Sequence, residues 1–117
     1  MKCENLNVWK RSCRLSVNIY KLCDNLKDFD FKDQITRSGL SIASNIAEGM
    51  EKDSDKEKIR FIEIAKGSSA ELITQLYIGI EIGYIEKSVG LNLINECNEI
   101  LKMLSGLKKN YVQNIVS

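Results

Sequence analysis

The sequence predicts an all-α fold, an antiparallel up-down four-helix bundle. Three observations predict it. Four long stretches repeat apolar residues at helical spacing. Short breaks separate them, at Asp28 to Lys32, Gly49 to Asp53 and Glu86 to Gly90. The 117 residues include no proline, so the strongest helix breaker is absent throughout. Long amphipathic helices joined by short connections pack as antiparallel neighbours.

The first helix is expected over about Leu6 to Leu26. Val8, Leu15, Ile19, Leu22 and Leu26 fall on one narrow stripe, with Trp9, Cys13 and Tyr20 on its flank. Lys10, Arg14 and Lys21 form a cationic stripe on the far side, with Arg11 nearby, and no Asp or Glu lies between Asn5 and Leu22. The second helix is expected from about Asp33 to Glu48, its stripe made by Ile35, Gly39, Ile42 and Ile46 and widened by Ala43 and Ala47. Gly49 follows as an expected left-handed C-terminal cap.

The third helix opens on Ser54-Asp-Lys-Glu57, a capping box in which the serine oxygen accepts from a free backbone N–H. It runs to about Tyr84. One face carries Ile62, Ala65, Ser69, Leu72, Ile73, Leu76 and Ile80. The opposite face carries Phe61, Ile64, Ile78 and Ile82, so this helix is expected to be covered on two sides: by the bundle core and by another subunit. Gly67, Gly79 and Gly83 read as packing glycines inside the pattern. The fourth helix is expected from about Val89 into the C-terminal tail, its core face made by Leu91, Ile94, Leu101, Leu104 and Val112.

Composition narrows the function. The length suits one domain, residues 1–117, with a core that needs no staples. With 17 basic and 16 acidic residues the net charge is +1, so the whole-chain basic field of many nucleic-acid binders is absent and any phosphate contact rests on a local patch. Lys10, Arg11, Arg14 and Lys21 are the candidates. The N-terminus lacks the apolar run of a signal peptide, and no apolar stretch reaches membrane-spanning length, so a soluble cytoplasmic protein without a membrane partner is expected. Cys3, Cys13, Cys23 and Cys97 form no close metal-binding pair and read as free thiols.

There is no histidine. That excludes a histidine-activated nucleophile and the Glu-x-x-His di-iron site of helical bundles. The pairs Glu48/Glu51 and Glu96/Glu99 share helix faces but read as solvated. No metal, cofactor or catalytic residue is expected, and the chain reads as a non-enzyme. Glu71 stands out on the second apolar face of the third helix, between Ile64 and Ile78. A carboxylate buried there needs a partner, and Arg37 and Arg60 are the candidates. It reads as a polar anchor fixing register rather than a catalytic acid.

The segment Gln34-Ile-Thr-Arg-Ser-Gly-Leu-Ser-Ile-Ala-Ser-Asn-Ile-Ala-Glu-Gly49, with Arg60-Phe-Ile-Glu-Ile-Ala-Lys-Gly-Ser-Ser-Ala-Glu-Leu72 and Gln75-Leu, resembles the 23S ribosomal RNA intervening-sequence family of four-helix bundles. Val8-Trp-Lys, Ile19-Tyr-Lys-Leu and Gly83-Tyr-Ile also fit. Ala43 stands where that family usually has proline, and Thr36 where a basic residue is common. The resemblance implies a bacterial cytoplasmic protein that assembles as a homopentameric ring. It also extends to the accessory proteins of diversity-generating retroelements, which work with nucleic acid. It places Asn45, Glu48, Arg60, Ser68 and Glu71 as a structural polar set between the second and third helices. Two functions are carried forward from these readings: an accessory protein that associates with RNA or DNA, and an interaction scaffold that binds protein alone.

Overall fold

The computed structural model describes residues 1–116. Four helices follow in order: α1 (Asn7–Leu22), α2 (Phe29–Met50), α3 (Asp55–Glu81) and α4 (Lys87–Val116). They form a rod of 49 × 21 × 21 Å. Each helix packs against its neighbour in sequence, and α1 closes the circuit on α4; α1 and α3 stand diagonally opposite. This is the expected antiparallel bundle.

Local chemistry sets the ends. α2 starts at Phe29, four residues earlier than the apolar pattern suggests, because the Asp28 carboxylate accepts from the Phe31 N–H at 3.1 Å and caps the first turn. α1 ends at Leu22 rather than Leu26. The chain turns there, with Leu26 N–H donating to the Cys23 carbonyl, yet Leu26 still packs on the core. The Ser54 hydroxyl accepts from Glu57 N–H at 3.2 Å, as the capping box requires. The Glu57 carboxylate goes to Arg60 instead. Glu86 starts α4: its carboxylate accepts from Val89 N–H at 2.9 Å and from the Ser88 hydroxyl, and these bonds hold it below the ordinary carboxylate range.

Two glycines exchange the roles expected of them. Gly49 lies inside α2 and is not left-handed. It makes room for Phe61, whose Cβ would stand 2.7 Å from a Cβ placed at residue 49. Gly83 is the one described residue with positive φ, at 82°. It ends α3 in a Schellman arrangement, with Tyr84 N–H donating to the Gly79 carbonyl and Gly83 N–H to the Ile80 carbonyl. Gly83→Ala is expected to cost about 1–2 kcal/mol, the left-handed penalty of an L-residue, while leaving the helix content unchanged. Urea unfolding followed by circular dichroism checks both.

The core runs the length of the rod. Leu15, Ile19, Ile35, Ile42, Ile46, Ile62, Leu72, Leu76, Ile100 and Leu104 are fully buried. Polar contacts fasten the two ends. At one, the Tyr84 hydroxyl donates to Asp28 at 2.9 Å and its ring meets Phe31 edge-on. At the other, Lys2 N–H donates to Glu51 and the Tyr111 hydroxyl meets the Met50 sulfur. The four cysteines are free thiols; Cys3, Cys23 and Cys97 are buried. Among the described residues no helix is long and apolar enough to cross a membrane.

Candidate functional site

The cationic stripe divides. Lys10, Arg14 and Lys21 are exposed along α1. Arg11, one helical step round, turns to α4 and grips Glu96 with both carboxylate oxygens engaged, Nε to Oε2 at 2.9 Å. Its Nη1 donates to the Met103 sulfur at 3.6 Å. Arg11 is therefore a helix-to-helix tie rather than a fourth free cation. The pair is partly exposed, so Glu96→Gln is expected to cost no more than about 1 kcal/mol while releasing the guanidinium to solvent. Thermal unfolding of the variant checks the first part.

The polar set between α2 and α3 also divides. The Ser41 and Ser68 hydroxyls meet at 2.9 Å, and the Asn45 amide donates to the Ser41 carbonyl and hydroxyl. The Ser38 hydroxyl donates to Glu71 at 3.0 Å. Ser38, Ser41, Ser68 and Glu71, with Gln34 and Arg37, line an open furrow between the helices. Neither arginine expected to hold Glu71 does so: Arg37 pairs with Asp33 and Arg60 with Glu57. Glu71 is exposed in the single chain, where the Ser38 hydroxyl and, more distantly, the Gln75 amide donate to it, and a carboxylate open to solvent does not demand the cation that a buried one would. Glu48 is exposed, and Arg60 lies over the Phe61 ring. Of the two serines that bind the set together, Ser41 reads from sequence only as a small residue leaving room for a neighbouring helix, and Ser38 carries no expected role; the hydroxyl contacts across to α3 decide both. The other paired carboxylates are engaged separately, Glu99 with Lys102 and Glu51 with the Lys2 N–H.

The second face of α3 is exposed where the sequence placed three of its four residues. Ile64, Ile78 and Ile82 are 40%, 49% and 51% exposed. Phe61 departs from this pattern: it is buried at 8%, seated on Gly49 within its own chain, with Lys52 and Arg60 over its ring. A second uncovered apolar surface lies between α1 and α2. Cys13, Ser16, Val17, Tyr20, Lys21, Leu40 and Ala43 line a groove of about 370 Å³ there.

These features define a class: an antiparallel helical bundle with polar ties between helices and uncovered apolar strips on its flanks. The chain belongs to the 23S rRNA-intervening sequence protein family, whose family model matches residues 4–106. It is similar to a protein of unknown function from the S23 ribosomal protein family of Bacteroides thetaiotaomicron VPI-5482, known from a crystal structure at 1.70 Å resolution. The two are 31% identical, with a TM-score of 0.82 over 87% of this chain and 98% of that one. No curated protein matches the chain. Neither name states an enzymatic activity.

Proposed function

We propose that the protein is a non-enzymatic, cytoplasmic scaffold that works as a homo-oligomer, taken here as the pentamer that the family resemblance implies. The observation that carries this reading is the uncovered apolar surface: Ile64, Ile78 and Ile82 on α3, and Val17, Tyr20 and Leu40 between α1 and α2. Each is already about half covered in the single chain, so covering the rest is worth roughly half of the 1.5–3 kcal/mol that a fully exposed large side chain would gain. Six such residues therefore stand against an association cost of about 4–15 kcal/mol. Light scattering at micromolar concentration is the test. A multimeric mass is expected for the native chain, and a smaller one for an Ile64→Asp, Ile78→Asp double variant. A monomeric mass for the native chain overturns the reading.

A second reading, nucleic-acid association, is favoured by a separate observation. Lys10, Arg14 and Lys21 are exposed on a helix that carries no acid. Repeated around an oligomer, such a weak patch gains avidity. Binding to structured RNA and duplex DNA is measured across a salt series, since phosphate contacts weaken steeply with salt. On this reading Lys10→Glu with Arg14→Glu abolishes binding, and Glu96→Gln strengthens it by freeing Arg11. No binding at low salt rejects it.

A further inference from the structure

The two uncovered surfaces differ in charge as well as place. Val17 falls within the same arc, about 60° wide, as Lys10, Arg14 and Lys21 at 100° per residue, so the cations border the apolar groove. That groove therefore has a basic rim. The outer face of α3 has the reverse character. Ile64, Glu71 and Ile78 repeat every seven residues along it, with Glu81 and Ile82 beyond, and all are exposed. From Gly67 to Glu86 the chain carries three acids, Glu71, Glu81 and Glu86, and no Lys or Arg. Gly67, Ala70 and Thr74 keep the middle of this face low. A Cβ at Gly67 meets nothing within 4 Å in its own chain, so this glycine serves no packing inside the bundle.

We infer that the α1–α2 groove receives the outer face of α3 from a second copy of this chain, with Glu71 and Glu81 of that copy set against Lys10, Arg14 and Lys21. The inference rests on the self-association reading and supplies its mode of contact. α1 and α3 are diagonal in the bundle, with no close approach of their backbones, so ridge and groove lie on different sides of one chain. A contact between unlike surfaces is heterologous: each copy gives its ridge to one neighbour and its groove to another, and the series closes as a ring or runs on as a fibre. The acid-free α1 then serves assembly, its cations facing carboxylates rather than phosphate. Glu71 gains across the seam the cationic partners it lacks within its own chain.

Charge reversal tests the seam in the full-length protein. One variant carries Lys10→Glu, Arg14→Glu and Lys21→Glu; another carries Glu71→Lys and Glu81→Lys; a third carries all five. Every position is exposed, and circular dichroism with thermal unfolding verifies that each variant folds. The first two are each expected to dissociate at concentrations at least tenfold above those at which the native chain dissociates, read by sedimentation or light scattering. The five-fold variant is expected to recover assembly, because both sides of the seam are reversed together. Assembly of the native chain with no response to either single-side reversal overturns the seam and leaves self-association standing. So does failure of the five-fold variant to recover. Loss of RNA binding without change in mass for the first variant overturns it also, and assigns the rim to phosphate. A native chain that stays monomeric sinks both readings together.

Discussion

Leu72→Ala is expected to lower the unfolding free energy by about 2–5 kcal/mol, the range for a large aliphatic side chain removed from a packed core. Leu72 is fully buried on α3, the helix that packs against both α2 and α4. A cavity there opens towards two neighbours at once, and neither can close it without leaving its other contacts. Equilibrium unfolding in urea is the measurement, at one fixed protein concentration because assembly adds to apparent stability. The midpoint should fall with little change in slope. Ile64→Ala on the same helix is the control. Its side chain is already 40% exposed, so a comparable loss at that position would show that the exposed face is covered under the conditions used.

Gly49→Ala is expected to cost about 1–3 kcal/mol, as overpacking does in a filled interior. The added carbon would stand 2.7 Å from the Phe61 Cβ. Both atoms are fixed directly to helix backbone, so no rotamer change relieves the clash and α2 must move away from α3. Gly106→Ala should have the opposite sign. That glycine is exposed in α4, and its added carbon meets nothing within 4 Å. Alanine there improves helix propensity by about 0.5–1 kcal/mol. Paired thermal melts of the two variants separate a glycine that the packing needs from one that it tolerates.

The same two glycine roles show where sequence reading reached its limit. Gly49 follows a periodic run and reads as a terminator, and Gly83 sits among isoleucines and reads as packing. The structure assigns them the other way, because which use applies depends on whether a large residue such as Phe61 arrives opposite, a contact made across twelve positions of chain. The helices themselves were legible, since apolar spacing reports the buried face directly. Their ends were less so. Leu26 keeps the spacing of α1 while lying beyond it, because burial continues after the helix stops. The exposed Phe29 broke the pattern at the start of α2 and hid the cap at Asp28. At the candidate surfaces, periodicity told which side of α1 is cationic, but not that Arg11 would find Glu96, 85 residues away. For Glu71 the flanking isoleucines suggested burial. They are themselves exposed, so the carboxylate stays wet beside Ser38.

α1 has 16 residues and α4 has 30, so the shortest helix covers little more than half the length of the longest. Its outer seam to α4 is slight and is fastened by Arg11, in the second turn of α1, and Glu96. The consequence is a chemical clock. When α1 swings away from α4, core thiols meet solvent before the α2–α3–α4 body has come apart. Cys97 is buried in the closed state, its thiol pushed up to about 12 by burial, and is expected to resist alkylation there. Its labelling rate at fixed pH therefore counts openings of α1, and Glu96→Gln should quicken it in step with amide exchange along Asn7–Leu22. Cys13, only partly buried in the single chain but lining the α1–α2 groove, should react at once in the dissociated chain and slowly in the assembly, so the zero of that clock is set with dissociated protein.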